Sequence, residues 1–130
     1  EIDTRVEDGI LPYHKKIGKL DKESINSTIQ NIVSNYVEFC IWEAKKKNFN
    51  LMVYGVPEDN MEQISSEDKE WRRYIIKQFN IILALVTKEK GVAFLDVYKM
   101  TASDNSSIHY IDNIHLKQKV FAEVCRELII

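Results

Sequence analysis

At 130 residues, 45% hydrophobic and 29% charged, the chain is long enough for one sizeable hydrophobic core and too short for two. Its 18 basic and 20 acidic residues leave a formal charge of -2 with the signs interspersed, which gives no electrostatic footprint for nucleic acid or for an anionic membrane surface. No apolar run approaches the length a bilayer requires, and the first residues carry no signal-peptide pattern, so the expected setting is cytoplasmic.

The first residue is Glu rather than Met, and Glu1-Ile2-Asp3-Thr4-Arg5 reads like the end of a strand entering a loop, so the chain is expected to begin inside a fold. From Val6 to Leu20 periodicity is weak. Gly9, Pro12 and Gly18 punctuate the segment and Lys15, Lys16 and Lys19 solvate it, which predicts a long loop with His14 at its surface. Asp21 or Ser24 then caps a predicted helix whose apolar positions Ile25, Ile29, Ile32, Val33, Tyr36, Val37, Cys40 and Ala44 follow the three-four spacing of one buried face. Lys45, Lys46 and Lys47 place positive charge at the negative end of that helix.

Phe49 to Tyr54 is a short apolar run ending in Gly55-Val56-Pro57, the pattern of a strand buried on both faces of a parallel sheet. A polar loop follows from Glu58 to Ser65. A second helix is then expected to start at a near capping box, Ser65 with Asp68, with Trp71, Ile75, Phe79, Ile82, Leu85 and Val86 as its buried stripe and Lys88 to Gly91 as its end. Val92 to Tyr98 reads as the next strand, Met100 to Ser107 as a polar loop, and Leu116, Val120, Phe121, Val124, Cys125 and Leu128 as one face of a last helix. Alternation of this kind builds a parallel sheet with right-handed crossovers, whose ligand crevice lies at the carboxyl ends of the strands. Three loops are expected to meet there: the one opening with Asp3 and Arg5, the one after Tyr54, and the one carrying Asp112 and His115. Cys40 and Cys125 both fall on apolar helix faces, where reduced thiols are usual.

The stretch Tyr110-Ile111-Asp112-Asn113-Ile114-His115-Leu116 carries the chemistry. An Asp three residues before a His at the mouth of a helix lets the carboxylate reach one imidazole nitrogen and leaves the other free to take a proton, which is half of a catalytic triad. The bland alternative is a helix N-cap beside a surface His. A nucleophile is missing: Ser103, Ser106 and Ser107 lie in a turn-rich loop with no strand-to-helix elbow, where serines satisfy local backbone groups. His14, His109 and His115 lack the spacing of metal ligands, so no metal and no cofactor is expected. No glycine-rich loop follows a strand, which weakens a nucleotide-binding reading.

Asp112-Asn113-Ile114-His115-Leu116 before the final helix resembles the last conserved block of the SGNH, or GDSL-type, hydrolases, in which Asp and His complete a Ser-His-Asp triad. Gly55 closing a strand, Val92 to Val97 leading into a polar loop, and Glu1-Ile2-Asp3 as the end of a Gly-Glu-Ile-Asp segment are similar to the C-terminal part of one branch of that family. The resemblance implies a three-layer, flavodoxin-like α/β parallel sheet lacking its N-terminal strand or strands, with residues 1–130 as the C-terminal part of a larger domain. It also implies an acyl or acetyl esterase acting on a small-molecule or carbohydrate ester, with His115 as general base, Asp112 as its orienting partner and a Ser from outside these residues as nucleophile. Where the family has an oxyanion-hole Asn this chain has Ile2, so Arg5 becomes the candidate replacement, with Asp3 beside it as a substrate-side or salt-bridging group. The alternative is a non-catalytic α/β domain retained for binding or assembly. In either case a central strand would expose its edge unless another copy, or the rest of the parent chain, pairs with it.

Overall fold

The computed structural model describes residues 9–57 and 66–101. Six elements follow in order: α1 (Ile10–Lys16), α2 (Lys22–Lys47), β1 (Met52–Tyr54), α3 (Ser66–Glu89), β2 (Ala93–Leu95) and α4 (Val97–Thr101). The segment expected to be a long loop therefore contains a helix. Ile10, Leu11 and His14 turn inward from it at one-turn spacing, a pattern too short to stand out against the flanking glycines and lysines.

The helices stop for a common reason. After α1, the Gly18 N–H bonds the Lys15 carbonyl and the Lys19 N–H bonds the His14 carbonyl, with Gly18 at φ 69°. After α3 the same pair of bonds runs from Gly91 to Lys88 and from Val92 to Thr87, with Gly91 at φ 71°. Both are Schellman endings, in which a residue in the left-handed region lets two orphan carbonyls find donors. Asn48, at φ 54°, takes that role after α2, where the Phe49 N–H reaches the Ala44 carbonyl at 3.0 Å. At the start of α2 the cap is Asp21 rather than Ser24. Its carboxylate accepts from the Ser24 N–H at 2.8 Å and from the Ser24 hydroxyl at 2.9 Å.

Ile25, Ile29, Val33 and Val37 of α2 form an unbroken i, i+4 row that is wholly buried. That row packs with Ile75, Phe79, Leu83 and Val86 of α3 and with Ile10, Leu11 and Val53 into one core. The expected phase of α2 is right at these positions and at Ala44, but Tyr36 is half exposed and Cys40 only partly covered. In α3 the buried face is rotated from the expected stripe. Arg72, Ile76, Asn80, Leu83 and Thr87 point inward, whereas Leu85 is 62% exposed and Trp71 is only partly buried. Burying Arg72, Asn80 and Thr87 goes against hydropathy, which is why counting apolar residues found Ile75, Phe79 and Val86 but missed the rest of the buried face.

The expected three-layer flavodoxin-like parallel sheet is not what these residues form. The described fold is mostly helical, 72% helix, with a single two-stranded parallel sheet pairing Met52 with Ala93, Val53 with Phe94 and Tyr54 with Leu95. The apolar runs are longer than the strands within them. Phe49 follows the left-handed Asn48 and stays exposed, and Val97 and Tyr98 open α4 because the Asp96 carboxylate accepts from the Lys99 N–H at 2.9 Å. Leu95 is correspondingly half-buried rather than a core residue. The described strands and the helix between them make one β1-α3-β2 unit, with α2 packed chiefly on α3. The expected strand end at Glu1–Asp3 and the last helix, with Val120 and Val124, lie outside the described residues.

Candidate functional site

Of the three loops expected to border a crevice, only the one after Tyr54 begins within the described residues, and it leaves β1 beside the end of β2. Because β1 and β2 are parallel and in register, Tyr54 and Leu95 are neighbours, and the Gly55 N–H extends the ladder by donating to the Leu95 carbonyl at 2.9 Å. Beyond that bond the chains part, Val56 and Pro57 leaving from β1 and Asp96 from β2. Asp96 is committed as the cap of α4, so it is not a spare acid at this edge. The expected site residues Asp3, Arg5, Asp112 and His115 all lie outside the described residues, as do Ser103, Ser106, Ser107 and His109.

The turn after β1 is held from an unexpected direction. Asn80, on the inward face of α3 and only 7% exposed, accepts from the Val56 N–H at 2.8 Å and donates to the Val56 carbonyl at 2.9 Å. Its second amide hydrogen goes to the Ile76 carbonyl at 2.9 Å. A carbonyl can only accept, so two carbonyls around one terminal atom fix that atom as the nitrogen and set the amide orientation. Both donors are used, which removes the penalty of burying an amide. A Cβ at Gly55 would collide with Asn80 Oδ1 and come within 3.1 Å of Phe94 Cζ. The sequence signal for this arrangement was a Gly-Val-Pro after a strand; nothing in the sequence pointed to Asn80 as its partner.

His14, expected at the surface, is 1% exposed. Its Nδ1 donates to the Lys19 carbonyl at 2.7 Å, and its Nε2 is 2.9 Å from Thr28 Oγ1. Thr28 Oγ1 also lies 3.1 Å from the Ser24 carbonyl. The ring thus fastens the α1–α2 corner below a cavity of about 360 Å³ lined by Tyr13, Lys19, Glu23 and Ser27 among others. An imidazole between a hydroxyl and a carbonyl has the order of a nucleophile, base and orienting group, but Thr28 stands within α2 and its hydroxyl also meets the helix carbonyl one turn back, so the bonding is structural. Near it, the backbone and side-chain hydrogen bonds from Ser24 hold the Asp21 carboxyl below its usual range.

Among the described residues no group of three or more His, Cys, Asp or Glu side chains could hold a metal ion, and no helix is long and apolar enough to cross a membrane. The chain matches no family model, no curated protein and no solved structure.

Proposed function

We propose that the chain carries the base half of an ester hydrolase, with His115 as general base, Asp112 orienting and stabilising its imidazolium, and a nucleophilic Ser supplied from outside these 130 residues. The observation that supports this reading is the parallel pairing of β1 and β2, whose carboxyl ends lie side by side. Such an edge is where α/β units gather ligand-binding groups. The substrate is a small-molecule or carbohydrate ester, with Arg5 and Asp3 as its polar contacts. The setting that goes with this reading is cytoplasmic, two cysteines making no disulfide framework.

The test is hydrolysis of p-nitrophenyl acetate by the longest natural polypeptide that contains this chain, beside the 130-residue chain alone. The chain alone is expected to be nearly inactive, since a base with no adjacent hydroxyl or thiol has nothing to activate. In the longer polypeptide, His115→Ala lowers kcat/KM by roughly a thousandfold or more, and Asp112→Asn is also severe. Full activity in His115→Ala sinks the hydrolase reading. The second reading, a binding or assembly domain, is favoured by the exposed aromatic side chains on α2, Phe39 at 59% and Trp42 at 56%, with Lys46 lying over the Trp42 ring. It gains if His115→Ala changes nothing.

A further inference from the structure

Tyr36, Phe39 and Trp42 follow one another at three-residue spacing along α2, which sets them side by side on the helix surface. Each is half exposed or more, and the Phe39 and Trp42 rings are 6.4 Å apart. The first of the three stands near the sheet: burial, the Cys40 thiol and then the Tyr54 phenol push the Tyr36 phenol up. Met52 and Tyr54 flank the buried Val53 and so share the sheet face opposite the core, where they are 46% and 65% exposed. With roughly 150–250 Å² for each large side chain, five of them exposed to this degree leave about 500–600 Å² of apolar surface in water. An apolar patch of that size marks an interaction site.

The strand edge beside the patch is open as well. In a parallel ladder one residue turns both main-chain groups to one side and the next residue turns its own to the other. The Gly55 N–H bonds the Leu95 carbonyl, so Gly55 and Val53 point to β2 while Met52 and Tyr54 point away from it. Among the described residues β2 is the one strand paired with β1. Val56, next on the open side, is already closed by Asn80. The edge therefore offers Met52 and Tyr54 alone, and a copy of β1 turned about a two-fold axis at Val53 offers the same two residues in reverse.

We propose that this face is the interface between two copies of the chain: β1 pairs antiparallel with its own counterpart, Met52 opposite the partner subunit's Tyr54, and the aromatic stripe of α2 packs beside the joined strands. A two-fold contact uses one patch twice and closes on itself, and it covers an edge that a two-stranded sheet leaves exposed. The apolar surface of each copy, with a polar rim around it, comes close to the roughly 800 Å² per partner of a standard interface. Glu43 and Lys47 pair at 3.0 Å and Lys46 lies over the Trp42 ring, so no field of one sign selects a nucleic acid or an acidic partner here. The interface is independent of the ester chemistry.

The test is sedimentation velocity on the longest natural polypeptide that contains this chain, from about 1 to 100 µM, with amide hydrogen exchange at both ends of that range. A reversible dimer is expected, in which the Met52 and Tyr54 amides exchange about tenfold or more slowly at the high concentration than at the low one. Phe39→Glu and Trp42→Glu, at exposed helix positions, each raise the dimer Kd about tenfold or more, whereas Leu85→Glu, at an equally exposed position on α3, leaves it within about twofold. Tyr54→Pro removes an outward N–H and spares the bonds to β2, so it weakens the dimer while the helical circular dichroism is kept; if it does not fold, Met52→Lys serves, since a lysine on an edge strand opposes pairing. A monomer throughout the range overturns the proposal, including one whose Met52 and Tyr54 amides are already protected, which shows the edge covered by its own polypeptide. A dimer that withstands both Phe39→Glu and Trp42→Glu, or that leaves the two amides unprotected, overturns it too, because another face then makes the contact.

Discussion

His14 Nε2 lies 2.9 Å from Thr28 Oγ1, a buried hydrogen bond that joins the last turn of α1 to the first turns of α2. The other ring nitrogen donates to the Lys19 carbonyl in the turn between them, so a single side chain fixes two helices and their connection. Lys15 on α1 also pairs with Asp68 on α3, but that ion pair is partly exposed and contributes little.

Replacing His14 by Ala is expected to destabilise the fold by about 2–4 kcal/mol, since it empties a fully buried site and removes the partners of Lys19 and Thr28. Thr28→Val leaves Nε2 buried without a partner, at about 1–3 kcal/mol. Urea unfolding of both single variants and the double variant provides the check. The Thr28→Val cost shrinks in the His14→Ala background if the two residues act through this bond, and simple additivity would show that they do not.

Asp21 caps α2 and its folded carboxyl titrates below the ordinary value of 3.8 because the Ser24 N–H and hydroxyl favour the charged form. A depressed folded value means that its contribution is fully present above the unfolded value and is lost as pH falls through the lower folded one. Asp21→Ala is therefore expected to lower the thermal midpoint by a steady amount from about pH 7 to pH 5, with the difference shrinking below the carboxylate range. Calorimetric scans from about pH 7 down through the carboxylate range decide it, and a difference that widens in acid contradicts the capping account.

Gly55→Ala is expected to cost about 1–3 kcal/mol, because the new methyl meets Asn80 Oδ1 and Phe94 Cζ and one of them must move. Chemical denaturation measures this. Gly91→Ala is the contrasting control: its Cβ meets nothing within 4 Å, and any cost there comes from the φ of 71° alone.

What could be read from the residues was whatever local chemistry decides. The cap at Asp21, the ends near Lys47 and Gly91, the buried positions Ile29, Val33, Val53, Ile75 and Phe79, and the succession of helix and strand from Lys22 to Leu95 follow from short-range spacing and turn residues. Three things needed the tertiary structure. Strand length was one, since Asp96 could continue β2 or cap α4 and only the bond to Lys99 chose between them, which left three-residue strands where longer ones were expected. The inward face of α3 was another, because Asn80 and Thr87 are tolerated inside only once Val56 and the helix's own carbonyls satisfy them. The last was His14: a histidine between Tyr13 and Lys15 reads as solvated until the chain returns, fourteen residues later, to bring Thr28 to its ring. The physical reason is the same each time. Apolar burial announces itself through periodicity, whereas a buried polar group depends on a partner that is distant in sequence, and only the folded chain brings the two together.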